Sequence, residues 1–288
     1  MKRFITMFVC GRIAIALILC GAWQLCGGWH YSWGAEEPAA AAPPAATTSP
    51  SQTASAAEPT TDNTLSSPEE LPPALEAYKG RTIAQTMHYA GAPWLTRENR
   101  EREEECSTLL KTLKLQPGQV VCDMGCGNGF YALKIAPTLG EKGKVLCVDI
   151  QSEMLKLLAE RAKEENISNY ELILGSPIDP RLPAGKVDLI LCVDVYHEFS
   201  HPEQMLAAMR RSLAPGGRLV LVEFRLEDPN VPIKELHKMS KKQILKELEP
   251  NGFKLVEQFD KLPWQHVMFF EADPQFQPTP APPGNTQP

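Results

Sequence analysis

Val120-Val121-Cys122-Asp123-Met124-Gly125-Cys126-Gly127-Asn128-Gly129-Phe130-Tyr131 decides how the rest of this chain is read. It opens as a mostly apolar run of strand length, places glycine at every second position from Gly125 to Gly129, and returns to helix-compatible residues at Phe130. That order predicts a strand, a tight loop and a helix start. Glycine permits positive φ and lets a ligand approach the main chain with no Cβ in the way. The free N–H groups at the start of the next helix favour electron-rich ligand atoms. A glycine-rich turn without a ligand has the same local sequence, so the flanking chain decides between them.

Strand and helix patterns alternate downstream. Residues 130–136 read as a helix and 144–149 as a second buried strand closing on Asp149; Ser152 then opens a helix with Met154, Leu155, Leu158 and Ala162 largely on one side. Residues 170–174 and 187–193 are the third and fourth strands, the latter apolar nearly throughout, as a strand buried on both faces should be. A helix over 202–213 leads through Pro215-Gly216-Gly217 into a fifth strand at 218–224. This βαβαβ order predicts a parallel sheet with right-handed crossovers and helices on both faces. Ser240 caps a helix carrying Ile244, Leu245 and Leu248, and close runs at 253–259 and 264–271 predict an antiparallel pair at the sheet edge. Upstream, residues 74–89 are expected to be partly helical, 90–95 to turn, and Thr96 to cap one charged helix running to about Leu113.

Composition divides the 288 residues into four segments. Residues 1–34, with Lys2 and Arg3 before an apolar stretch, read as a signal peptide or an amino-terminal membrane anchor. Residues 35–73, rich in Ala, Pro, Thr and Ser, read as a disordered linker, and 274–288 as a disordered Pro/Gln-rich tail. The remaining 74–273 suffice for one α/β domain. A net charge of −6 and the lack of a basic stripe with interleaved aromatics argue against a nucleic-acid partner. Cys106, Cys122, Cys126, Cys147 and Cys192 are odd in number and mostly sit in apolar runs, which predicts buried thiols rather than disulfides. No spacing suggests zinc, and no metal is expected. Free thiols favour a reducing compartment while the leader favours export or membrane attachment, and the two conflict.

Two families use a glycine loop after the first strand of such a sheet. A dinucleotide fingerprint counted from Gly125 ends on Phe130, which fails, but counted from Gly127 it ends on Ala132, which the looser variant allows. Asp-x-Gly-x-Gly-x-Gly at 123–129, Asp149 closing the second strand, and Pro-Gly-Gly before the fifth together resemble the class I S-adenosylmethionine-dependent methyltransferases over about residues 97–271. The resemblance implies a Rossmann-like, doubly wound, mainly parallel seven-stranded sheet with an antiparallel carboxy-terminal strand pair. It implies S-adenosylmethionine as methyl donor. The backbone of Gly125, Cys126, Gly127 and Gly129 would hold its methionine end, with Asp123 near the ammonium and Asp149 on the ribose hydroxyls. Ile150, with Met154, would pack on the adenine, and Ser176 or the Ile178 backbone would meet its amine. Asp194, ending the fourth strand, would lie on the donor side of the mouth.

Acceptor chemistry falls to Asp194-Val195-Tyr196-His197-Glu198-Phe199, where ligands of open parallel sheets bind. The Asn-Pro-Pro-Tyr signature of amino-methylating nucleic-acid enzymes is missing. Methyl transfer needs alignment and, for an oxygen or nitrogen acceptor, removal of a proton. His197 is the candidate base; the alternative is a structural histidine bonded to Glu198 or a loop carbonyl. Tyr196 either shapes the methyl pocket or seals the end of the sheet, and His201 reads as an exposed helix-start residue. Residues 86–89 and 94–97 resemble the segment that lids the site in this family. His237-Lys238-Met239 and Trp264-Gln265-His266 are further polar clusters. The expected activity is methyl transfer to a small molecule or protein side chain. The alternative is a non-catalytic donor-binding or scaffold module tethered to the membrane.

Overall fold

The computed structural model describes residues 71–277. β1 (Ala77–Tyr78) and β2 (Arg81–Thr82) form an antiparallel hairpin where a partial helix was expected. Its turn residues Lys79 and Gly80 lie at φ 46° and 91°, the backbone that a two-residue hairpin demands and a helix excludes. A 3-10 turn (Tyr89–Gly91) leads into α1 (Ala92–Leu95), α2 (Arg100–Glu104) and α3 (Cys106–Thr112). The single charged helix expected here is broken by Glu105 at φ 48°, and Thr96 closes α1 instead of capping that helix. The break accompanies inward burial of Arg100 and Glu104, which pair at 2.9 Å.

The sheet then builds through β3 (Val120–Met124), α4 (Ala132–Leu139), β4 (Lys144–Asp149), α5 (Ser152–Glu164), β5 (Tyr170–Leu174) and β6 (Val187–Val193). It continues with α6 (Pro202–Ser212), β7 (Leu213–Arg225), β8 (Lys238–Met239), α7 (Lys241–Leu248), β9 (Phe253–Phe259) and β10 (Gln265–Ala272). Strand order is β5-β4-β3-β6-β7-β10-β9, with β8 parallel to the end of β7. The five strands from β5 to β7 are parallel and β10 runs antiparallel to both neighbours, so the doubly wound sheet and its reversed terminal pair are as expected. β8 adds a short eighth strand.

Alternation along the central strands makes the two cores. Val121, Leu189 and Leu191 face a cluster holding Leu109, Leu133 and Leu158 of α3, α4 and α5. Cys122, Ile190 and Cys192 face one holding Leu206, Met209, Ile244 and Leu248 of α6 and α7. The five cysteines among the described residues are all free and buried. Ser240 caps α7 by accepting the Gln243 N–H at 3.1 Å. β3 has β4 on one side and β6 on the other, so the chain reverses its winding there and opens a crevice at the strand ends.

The expected leader, most of the linker and the end of the tail lie outside the described residues. Among those described, no helix is long and apolar enough to cross a membrane. Two segments assigned to the linker and tail touch the domain. Pro72 gives its carbonyl to His201 Nε2 at 2.8 Å, and the Phe276 ring lies 4.6 Å from the Arg210 guanidinium. His201 is accordingly buried, with Ser200 Oγ on its other nitrogen, and not the exposed helix-start residue expected.

Candidate active site

The glycine loop needs its glycines for two reasons. Gly125, Gly127 and Gly129 have φ of 68°, 52° and 82°. A Cβ on Gly127 would stand 2.5 Å from Leu95 Cδ1 and one on Gly129 2.6 Å from Leu158 Cγ, while one on Gly125 would collide with Val195. The Gly125 and Cys126 N–H groups donate to the Val148 carbonyl at 2.8 and 3.0 Å, folding the loop onto β4. Asp149 completes the tie. Its Oδ2 accepts the Gly127 N–H at 3.0 Å and its Oδ1 the Gln151 N–H at 2.8 Å. Burial pushes the Asp149 carboxyl up, and the backbone N–H groups of Gln151, Gly127 and Ile150 pull it back. Ile150 is 44% exposed beside it, an apolar side chain left free at the strand end. The Ser176 N–H donates to the Asp179 carbonyl at 2.8 Å in a turn held to β4 by Gly175 N–H on the Asp149 carbonyl, 2.9 Å away.

Two acids expected on the donor have other contacts. Asp123 Oδ2 accepts the Ala132 N–H at 2.9 Å and so holds the start of α4. Burial raises its carboxyl to about 7, against the Ala132 N–H and the Arg100 charge. Asp194, at φ 51°, accepts from Gln265 Nε2 at 2.8 Å, and that amide also reaches Glu104 Oε2 at 3.3 Å. Burial, with Glu104 and Glu223 nearby, pushes Asp194 well above the usual carboxylate range. Its contacts lie in a polar network joining α2, the end of β6 and β10. The Cys126 thiol is buried too, with Sγ 3.8 Å from the Gly127 carbonyl.

The amino-terminal segment lies on this loop, as a lid would. Asn128 Nδ2 donates to the Ala92 carbonyl at 3.0 Å, Gln151 Nε2 donates to the Met87 carbonyl at 2.9 Å, and the Tyr89 N–H returns to Gln151 Oε1 at 2.8 Å. Leu95 fills the space beside Gly127, and Arg97 stacks 3.8 Å over the Trp94 ring.

Past β6, the 3-10 turn Tyr196–Glu198 brings the acceptor candidates together. His197 is 2% exposed. Its Nδ1 lies 2.7 Å from Glu223 Oε2, and its Nε2 3.1 Å from His237 Nδ1. Burial pulls the His197 pKa down, but the Glu223 charge and hydrogen bond outweigh it and the net direction is up. Glu223 Oε1 accepts the Tyr196 N–H at 3.0 Å, so both its oxygens are engaged. Burial and the neighbouring His197 push His237 down. Glu198 is raised to about 7 by burial, against the pull of His197 and of the Met87 N–H.

Tyr196 is buried at the end of the sheet. It is 0% exposed, and its hydroxyl donates to the buried Glu247 Oε2 at 2.8 Å, where Arg81 pairs with the same carboxylate. His266 is buried opposite Glu223 in the β10–β7 register, and among the described residues neither of its ring nitrogens has a hydrogen-bond partner. Sequence reasoning missed Glu223, although a lone acid inside the apolar run 219–224 is the signal that finds it. Glu247 and Arg81 carried no such signal, and Gln265 was read only as part of the cluster 264–266.

A crevice at the winding reversal, a glycine loop tied to a strand-end acid, and an antiparallel last strand define the class I methyltransferase fold. A family profile described as a methyltransferase domain matches residues 115–268, more than half of the chain, and the chain belongs to that family. Demethylmenaquinone methyltransferase of Listeria welshimeri is 30% identical over 123 residues, which are 43% of this chain and 51% of that protein. A ubiquinone/menaquinone biosynthesis C-methyltransferase of Vibrio vulnificus is 31% identical over 110 residues, 38% of this chain and 42% of that one. The chain thus spans about half the length of the curated relatives it matches. A crystal structure of a SAM-dependent methyltransferase from Aquifex aeolicus superimposes with a TM-score of 0.61 at 24% identity, over 64% of this chain and 98% of that one, showing a shared fold. S-adenosylmethionine is the cofactor this family and fold imply. The residues present fit it in kind: a carboxylate, Asp149, closes β4 against the glycine loop, and the exposed apolar side chain of Ile150 stands beside it.

Proposed function

We propose that the domain transfers a methyl group from S-adenosylmethionine to a small molecule, a ring bearing an ionisable hydroxyl. The observation that carries this reading is the placing, at one end of one sheet, of the Asp149-tied glycine loop and the buried His197–Glu223 pair. The quinone chemistry in the relatives' names supports the acceptor class. When bound, the donor supplies an activated methyl on a cationic sulfur. The backbone of Gly125, Cys126, Gly127 and Gly129 would hold its methionine end, Asp149 its ribose, and Ile150 with the Ser176 turn its adenine. The His197 centre deals with the acceptor's proton: Glu223 fixes one ring nitrogen and offsets positive charge on the ring, and the other would exchange the proton through half-buried His237, whose Nδ1 lies 3.1 Å away.

Labelled-methyl transfer to pools of phenols and quinols tests the activity. Donor binding without transfer to any acceptor would favour the non-catalytic module instead. Residues 1–34 as a signal peptide or anchor and 35–73 as a linker belong to the same proposal, on sequence alone. Protease accessibility in fractionated cells decides which side of the membrane the domain occupies.

A further inference from the structure

The geometry points to a divalent metal site formed by His197 Nε2, His237 Nδ1 and the Glu198 carboxylate. Donor atoms at bonding distance from one first-row ion stand roughly 3 to 4 Å apart, since each lies about 2.0–2.2 Å from it. Here the two ring nitrogens are 3.1 Å apart, Glu198 Oε1 is 3.9 Å from His197 Nε2, and the ligand atoms of all three residues lie within 4.8 Å of one another. Two imidazoles and one carboxylate, with further positions open, make the donor set of catalytic zinc and of non-haem iron sites.

A second feature is independent of those distances. Glu223 accepts from His197 Nδ1 at 2.7 Å, and its other oxygen is taken by the Tyr196 N–H. The Nδ1–H tautomer is therefore favoured, and the Nε2 lone pair is directed at His237. Carboxylate–histidine pairs of this kind orient and strengthen imidazole ligands. Two ring nitrogens 3.1 Å apart need something positive between them, a hydrogen or a cation. In the metal-bound form the ion takes the place of that hydrogen, and His237 carries its proton on Nε2. In that form His197 is a ligand and not a base, and the ion itself would lower the pKa of an acceptor hydroxyl bound to it. The sequence hides the site because His237 lies forty positions beyond His197, on the separate turn Glu235–His237.

Metal binding can be measured without donor or acceptor, so its failure is distinct from failure of the methyltransferase reading. Full-length protein stripped with chelator is titrated with Zn²⁺ by calorimetry and with Co²⁺ by visible spectroscopy. One ion per chain is expected. His237→Ala, on a half-buried turn, is expected to weaken it at least a hundredfold with an unchanged circular dichroism spectrum, and Glu223→Gln by about 10- to 100-fold, the range for an outer-shell partner. No stoichiometric binding, or equal affinity in folded His237→Ala, overturns the site.

Discussion

His197 and Glu223 are joined through Nδ1 and Oε2 at 2.7 Å, both nearly inaccessible to solvent. Glu223→Gln keeps an oxygen for the Tyr196 N–H but removes the charge that holds and supports the imidazole. Methyl transfer is expected to fall by about two to four orders of magnitude, the usual contribution of positioned acid–base groups. Affinity for S-adenosylhomocysteine should stay the same. Initial rates at saturating donor, beside calorimetry, separate this from a general loss of structure.

Tyr196 behaves differently. Its hydroxyl is bonded to Glu247, so Tyr196→Phe removes one hydrogen bond to a buried carboxylate that still has Arg81. The expected cost is about 1–3 kcal/mol of stability, read from denaturant midpoints, with kcat little changed. A large loss of kcat at full stability would return Tyr196 to the chemistry.

Gly127→Ala would push a methyl group toward Leu95 at positive φ and close the cradle. Donor affinity should be lost along with about 1–3 kcal/mol of stability from overpacking. Gly118 is the comparison: its φ is 88° but nothing lies within 4 Å of an added Cβ. Gly118→Ala should cost only backbone strain, about 1–2 kcal/mol, and leave donor binding intact.

Asp123 gives the fold a pH dependence of definite sign. Its folded pKa is about 7 against an ordinary value of 3.8, so the folded chain holds the proton more tightly. That contribution is complete below the unfolded value and is lost as pH rises through about 7. Stability should therefore decline across this window by up to about 1.4 kcal/mol per pH unit from this one group. Asp123→Asn keeps an acceptor for the Ala132 N–H and should remove that slope in denaturation curves measured across the range.

The sheet was legible because buried parallel strands write themselves as apolar runs, and β3, β4 and β6 carry that pattern, while the antiparallel terminal pair was read from two runs with a short connection. The region before β3 was not. Arg81 beside the hairpin meets Glu247, and Glu104 before the helix break at Glu105 meets Gln265, partners distant in sequence, while Arg100 pairs with Glu104 one turn on. The loop after β3 and Asp149 at the end of β4 were readable from residue order, and their expected donor role from the resemblance. The surroundings of His197 were only half readable. Glu198 is its neighbour in the chain, whereas Glu223 and His237 reach it through β7 and the turn before β8, which no local pattern records.

The claim that the glycine loop and Asp149 form a donor cradle is tested most directly by calorimetry with S-adenosylhomocysteine on the full-length protein and its Asp149→Asn variant. One ligand per chain is expected to bind, weakened about 10- to 100-fold in the variant, as loss of charge-assisted hydrogen bonds worth about 1.5–3 kcal/mol requires. A folded protein that binds none, or a variant that binds equally well, would contradict it.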